Sequence, residues 1–316
     1  MKRNFKRLLF LLILSLALSL GCAKEKGGRL EVTFLDVGQG DSIFISTPGG
    51  KNILIDGGKR AIPPHSYFDA GKEVVLPFLK NRGVKRIDTL IATHPDGDHI
   101  GGLLAVLDSD IQIDKVLDCG YRHTSYTYQD FLKKIERRRE TKYYQPRAGQ
   151  ILNWGNEVKV QVLSPAHLFR DSNNSSIVIK LEFGDISFLF TGDVEKEAEG
   201  EMVLRYGDGL KSTVLKASHH GSRTGSSLSF LKAVRPQVTV ISCGRKNKYG
   251  LPHKEVMDKL ARLKVNPVRS NPTLKGTDAP DKHRGTSNGV KVYRTDYQGN
   301  IFFTTDGKKL WTGTEK

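Results

Sequence analysis

The chain has 316 residues, long enough for one large domain or two small ones around a buried core. Hydrophobic content of 38% and charged content of 27% exclude a membrane-embedded bundle and a disordered chain, and predict a soluble globular body. The formal net charge of +16 favours anionic partners such as nucleic acid, teichoic acid or membrane headgroups, with a basic surface that binds nothing as the plain alternative.

Residues 1–21 read as a signal peptide: basic "MKRNFKR", the apolar run "LLFLLILSLALSL", then Gly21 ahead of Cys22. The apolar run is too short for an ordinary transmembrane helix. A small residue before a cysteine, followed by polar "AKEKGG", resembles a bacterial lipoprotein cleavage site. Cys22 is then the expected lipidated residue and 22–29 a linker, with plain secretion as the alternative. Loss of Lys2, Arg3, Lys6 and Arg7 with that leader would leave +12. No later stretch is apolar enough to span a bilayer, so the mature protein is expected to be lipid-anchored or free. Cys119 and Cys243, the other cysteines, do not make a disulfide framework.

From residue 30 short β-branched runs alternate with helical stretches. "LEVTFLDVG" (30–38), "DSIFIST" (41–47) and "NILIDGG" (52–58) predict three strands, and 71–83 a helix ended by Gly83. "RIDTLIATH" (86–94) predicts a strand, 101–109 a helix, and 126–140 a basic amphipathic helix. A second strand set, 157–165, 175–185 and 186–193, ends at Asp193. Then follow helix 194–206, strand 212–221, helix 227–234, strand 237–244 and helix 253–264. "VKVYRTDYQGNIFFTTDG" (290–307) predicts a closing β-hairpin. Two strand-rich halves with interspersed helices suit two packed sheets with helices outside, an α/β four-layered αββα sandwich over 30–312. Residues 265–289, with prolines at 267, 272 and 280 and no apolar periodicity, predict a flexible insertion.

"THPDGDHIGG" (93–102) puts His94, Asp96, Asp98 and His99 into six positions after a strand. Two imidazoles and two carboxylates so close gain nothing in a solvated loop and need counter-ions in a core. His94 and Asp96 could serve one metal while Asp98 and His99 serve another, and Gly101 and Gly102 would let the next helix start close against them. Later strand ends supply further ligands: Asp193 of "FTGD" as a bridging carboxylate, His219 and His220 of "SHHGS", and His253 of "YGLPH". Together they provide the donors that two ions sharing one ligand require. His65, His123, His167 and His283 stand in loops without such company and receive no role.

"THPDGDHIGG" resembles the signature of the metallo-β-lactamase-fold hydrolases, with Asp96 where most members have a histidine. "FLDVGQGDSIFIST", "LIDGG", "NNSSIVIKLEFGDISFLFTGD", "LKASHHGS" and "YGLPH" resemble, in order, the hydrolase domain of ComEC-type competence proteins, without their membrane channel. The resemblance implies His94 and Asp96 at the first metal, Asp98 and His99 at the second, Asp193 between them, and His253 completing the ligand set of the second metal. It places His219 and His220 as one ligand and one proton donor, without saying which. Asn173 or Asn174 stands where the fold often has another histidine. Asp36, Asp41 and Asp56 would face the site, Asp41 and Asp56 as supports of ligand histidines.

An oxygen-rich ligand set shifts preference from Zn²⁺ toward Mn²⁺ or Mg²⁺. Two dications would lower the pKa of a shared water, making hydroxide available for in-line attack on phosphorus, with Asp98, His219 and His220 in the catalytic set. The expected function is an extracytoplasmic phosphodiesterase, foremost a DNA nuclease linked to DNA uptake or nucleotide scavenging. "KKIERRR" (133–139) and "GRKNK" (244–248) are candidate backbone-binding patches. A phosphodiesterase on a surface ester such as phosphorylcholine of teichoic acid, and a non-catalytic DNA-binding lipoprotein, are the alternatives. Asp96 and the basic charge argue against β-lactam hydrolysis.

Overall fold

Apolar residues alternate between two faces along most strands, and both faces are covered. The computed structural model describes residues 28–62, 67–264 and 289–316; the predicted leader, Cys22, His65 and residues 265–288 of the predicted insertion lie outside them. In chain order the strands are β1 (Leu30–Phe34), β2 (Ile43–Ser46), β3 (Asn52–Ile55), β4 (Arg86–Ile87), β5 (Thr89–Ala92), β6 (Gln112–Ile113), β7 (Lys115–Asp118) and β8 (Lys142–Tyr144). The second half adds β9 (Lys159–Ser164), β10 (Val178–Phe183), β11 (Ile186–Phe190), β12 (Val214–Lys216), β13 (Val238–Ile241), β14 (Lys291–Arg294), β15 (Ile301–Thr305) and β16 (Leu310–Thr314).

One sheet has the order β16-β15-β1-β2-β3-β5-β7-β8 and the other β14-β13-β12-β11-β10-β9, with β4 and β6 forming a small pair. β3, β5, β7 and β8 run parallel, as do β11 to β14. Val32, Phe34, Ile43, Ile45 and Ile53 meet Val162, Ile179, Phe188 and Val240 in a core between the sheets. The opposite residues, Phe44 and Leu54, pack on the outer helices through Leu79, Leu103 and Phe131. Leu189 and Leu215 do the same with Met202, Phe230 and Leu260 on the second sheet. This is the αββα sandwich that the alternation predicts.

Phe303 on β15 ties the two sheets: its ring lies edge-on to Phe34, 5.9 Å away, and to Phe188 of the facing sheet, also 5.9 Å away. Burial of this kind makes a Phe-to-Ala change cost about 3–5 kcal/mol.

The C-terminal expectation needs correction. Residues 290–307 do not form a hairpin: β14 joins the second sheet beside β13, whereas β15 joins the first beside β1. A helical turn, Thr295–Gln298, carries the chain between the sheets, and Gly299 (φ +66°) ends it. The "YQGN" turn signal is real but serves this crossover; the hairpin is β15–β16. Strand 212–221 is also shorter than predicted. β12 stops at Lys216, because His219, His220 and Gly221 adopt left-handed backbone at φ +48°, +54° and +77°. β7, the strand next to the β8 edge, escapes the periodicity reading because its apolar run is only Val116–Leu117.

Candidate metal centre

The C-terminal ends of the parallel strands in both sheets open on the same rim. Asp56 follows β3, His94 and His99 follow β5, Asp193 follows β11, His219 and His220 follow β12, and Ser242 follows β13. The glycines of "HIGG" allow the close approach: a Cβ on Gly102 would collide with the Gly57 carbonyl, and one on Gly101 with the Arg60 amide.

Hydrogen bonds set the tautomers. Asp56, wholly buried, accepts the Thr93 amide (2.9 Å), the Thr93 hydroxyl (2.7 Å) and His99 Nδ1–H (2.8 Å). The Thr93 hydroxyl, its proton spent on Asp56, accepts from His94 Nδ1–H at 3.0 Å. His220 Nδ1–H donates to the Ser242 carbonyl (2.9 Å), and His219 Nδ1–H to Glu195 Oε1 (3.0 Å). All four imidazoles therefore turn Nε2 toward the rim, the arrangement by which supporting acceptors orient metal-ligating histidines.

Three of those nitrogens converge on Asp193. Its Oδ2 lies 3.2 Å from His220 Nε2, 3.3 Å from His99 Nε2 and 3.7 Å from His219 Nε2. His99 Nε2 and His220 Nε2 are 3.3 Å apart, and Asp98 Oδ2 is 3.7 Å from His220 Nε2. Asp41, His99, Asp193 and His220 each offer an atom within 4.8 Å of the others. The His94 ring lies 4.1 Å from that of His99; its Nε2 is buried without a hydrogen-bond partner, and Asp96 Oδ2 is 3.8 Å away. A buried lone pair with no donor is costly unless a cation meets it. The donor set fits divalent metal: Asp41, His99, Asp193 and His220 form one close group, with Asp98 beside His220 and Asp96 beside His94.

Lys216, which the sequence reading missed, supplies a permanent cation. Its Nζ is buried, 2.6 Å from Asp41 Oδ2, 3.5 Å from Asp193 Oδ1 and 3.0 Å from the Gly192 carbonyl. The signal was available: Lys216 shares a strand face with Val214, which packs in the inter-sheet core. Burial opposes charge on Asp193, but His220, His99 and Lys216 outweigh it and hold the carboxyl well below its usual range. Burial likewise opposes a charged His99, yet Asp193 and Asp56 raise its pKa well above the ordinary value. His94 goes the other way: burial and neighbouring His99 depress it to about 3.

The remaining predicted residues have other partners. His253 accepts the Arg223 amide on Nδ1 (3.0 Å), so its proton sits on Nε2, the opposite arrangement to that of His94, His99, His219 and His220. Asp96 Oδ1 accepts the Ser172 hydroxyl (3.0 Å). Asn174 Oδ1 accepts the amides of Glu195 (3.0 Å) and Ala198 (3.1 Å), capping helix Lys196–Tyr206, and Asn173 reaches Glu195. Asp36 accepts from Gly38 and pairs with Lys316 rather than joining the cluster. Cys119 and Cys243 are buried free thiols.

Glu199 is the second residue the sequence reading passed over. Buried on helix Lys196–Tyr206, it accepts the Ser218 hydroxyl (2.8 Å) and the amides of Ser226 (2.6 Å) and Ser227 (2.8 Å), clamping both ends of the segment that carries His219 and His220. Left-handed backbone at each histidine costs about 1–3 kcal/mol and persists only where the surroundings over-determine it.

A family model described as the metallo-beta-lactamase superfamily matches residues 35–245. "ComE operon protein 3" of Bacillus subtilis (strain 168) is 33% identical over 259 residues, covering 79% of this chain and 32% of that protein. "Recombination protein 2" of Haemophilus influenzae is 33% identical over 238 residues, covering 74% of this chain and 27% of that protein. The chain thus spans about a third of the length of these relatives. Among solved structures, Tm1679, a metal-dependent hydrolase of the beta-lactamase superfamily, aligns with a TM-score of 0.46 at 11% identity, over 74% of this chain and 93% of that one. Among the described residues no helix is long and apolar enough to cross a membrane.

Proposed function

We propose that this chain, which belongs to the metallo-beta-lactamase superfamily and is related to competence proteins, is an exported phosphodiesterase that cleaves DNA with two divalent ions. The observation that carries the reading is the convergence of His99, His219 and His220, each through Nε2, on Asp193, with His94 beside His99 and with Asp96 and Asp98 at the rim. Asp96 Oδ2 beside His94 and Asp98 Oδ2 beside His220 give each end of the cluster its own imidazole–carboxylate pair, which supports two ions over one. The oxygen-rich donors favour Mn²⁺, with Zn²⁺ next and Mg²⁺ after it. Divalent ions bound here would supply Lewis acidity, making water a nucleophile near neutral pH and offsetting charge on a phosphoryl group.

The chain's own residues divide the remaining work. His220, buried with Nε2 facing Asp193, His99 and Asp98, is the ligand of the histidine pair. His219 keeps a side chain 26% exposed on the substrate side. Glu195 accepts from its Nδ1 and fixes the ring, so His219 is the group set to act on the leaving oxygen. Asp56 and Thr93 fix the His94 and His99 rings, which keeps both Nε2 atoms aimed without reorganisation. DNA as substrate rests on the charge of +16 and the relation to competence proteins; export and a lipid anchor at Cys22 rest on the leader alone.

The test is incubation of single- and double-stranded DNA with the purified chain and Mn²⁺, Mg²⁺ or Zn²⁺, with Asp98→Ala beside it. Metal-dependent cleavage absent from Asp98→Ala is the expected result. Intact DNA under every metal would rule the nuclease out.

A further inference from the structure

We infer that the turn at residues 244–249 is a single-strand nucleic-acid platform, in which the Tyr249 ring stacks on an unpaired base while Arg245, Lys246 and Lys248 meet the adjoining phosphates. This rests on, and sharpens, the phosphodiesterase reading, because it assigns the strand class that the centre is fed.

Two basic segments stand out in the sequence, and the structure treats them differently. In helix Tyr126–Arg137 and its end two of the five cations are consumed, while Lys133, Arg137 and Arg139 stay exposed. Lys134 Nζ holds both oxygens of Asp108 (2.6 and 2.8 Å), and the Arg138 guanidinium donates to the carbonyls of Leu107, Ser109 and Ile111. Arg245, Lys246 and Lys248 are exposed, and none has a carboxylate partner among the described residues. Tyr249 is 55% exposed, and Lys248 Nζ sits 5.1 Å from its ring centroid. An exposed aromatic face flanked by unpaired cations is the combination that binds single strands, because every base has a π-face but offers it only when unpaired.

The turn is built rather than loose. Asn247 Nδ2 donates to the carbonyls of Gly244 (2.9 Å) and Leu251 (2.8 Å), and its Oδ1 accepts the amides of Tyr249 (3.2 Å) and Leu251 (2.9 Å). Lys246 takes left-handed backbone (φ +52°), a conformation an L side chain adopts only under constraint. The turn is also fixed to the metal centre. Gly244 N–H donates to Gln39 in the segment carrying Asp41, and Ser242, two residues earlier, holds His220. A strand lying on Tyr249 is therefore held in register with the ligand segments of both sheets.

The experiment measures binding of fluorescent dT20, and of a 20-base-pair duplex, to the full-length chain in chelator by anisotropy at several salt concentrations. Tyr249→Ala is expected to weaken dT20 binding about 5- to 150-fold, whereas Tyr249→Phe stays within about twofold of wild type. Arg245→Ser/Lys246→Ser/Lys248→Ser is expected to flatten the log–log salt slope by roughly 2. Duplex binding should be weaker than dT20 binding and indifferent to Tyr249→Ala. Wild-type dT20 affinity in Tyr249→Ala, equal losses in the Ala and Phe variants, or preference for duplex would each overturn the inference. Hydrolysis of bis(p-nitrophenyl) phosphate by the wild type with Mn²⁺ separates the two readings. Its absence beside tyrosine-dependent binding sinks the hydrolase reading alone; its presence beside tyrosine-indifferent binding sinks this one.

Discussion

The Lys216 ammonium lies 2.6 Å from Asp41 Oδ2, with both side chains removed from solvent. Removing one member of such a pair leaves an uncompensated buried charge, which costs about 3–5 kcal/mol, whereas removing both costs much less. In chelator, urea denaturation of Lys216→Met should show that loss, and the Asp41→Asn/Lys216→Met double variant should recover most of it. Losses that simply add would mean the two groups do not compensate each other.

Glu199→Ala strips acceptors from the amides of Ser226 and Ser227 and the hydroxyl of Ser218. Each buried donor left unsatisfied costs about 1–3 kcal/mol. Because the left-handed pair His219–His220 depends on that clamp, the variant should lose DNA cleavage more completely than it loses fold. Circular dichroism melting and a cleavage assay on one preparation give both numbers, and full activity at reduced stability would show that the clamp is structural only.

Stability of the chelated protein should peak near pH 6.5. His94 is depressed in the fold to about 3, so the unfolded chain takes the proton first and stability is lost as pH falls below about 6.5. Asp41 and Asp193, both held below their usual range, steepen the acid loss. His220 is raised to about 9, so its contribution is complete below about pH 6.5 and disappears as pH climbs through 9. Denaturation midpoints at pH 5, 6.5 and 9 in chelator trace the dome; a midpoint still rising at pH 9 would show that His220 is not protonated in the fold.

Bound ions should stabilise the chain by mass action, by about 2.7 kcal/mol when one ion is present at a hundred times its dissociation constant. Chelation should lower the melting temperature of the wild type by more than that of Asp98→Ala. Equal shifts would place the stabilising ion away from Asp98.

The sandwich was legible because its strands are buried on two faces, so each reads as an apolar run between turn residues, and the ligands cluster where those runs stop. What stayed hidden depends on contacts between distant segments. Lys216 and Glu199 look like ordinary charged positions until the fold surrounds them, and β7 is too short to announce itself. The choice between His219 and His220 lies in a left-handed backbone that no periodicity encodes. His253 sits in a motif suggestive of a ligand, yet its tautomer depends on the Arg223 amide. The crossover through Thr295–Gln298 was mistaken for a hairpin because a turn signal does not reveal which sheet receives the next strand.

The most direct measurement is the number of Mn²⁺ ions bound per chain, by isothermal titration with electron paramagnetic resonance of the loaded protein, on wild type and Asp98→Ala. Two ions with a spin-coupled signal in the wild type, and at most one uncoupled ion in Asp98→Ala, are the expected result. A single ion in both proteins, or none, would contradict a binuclear centre around Asp193.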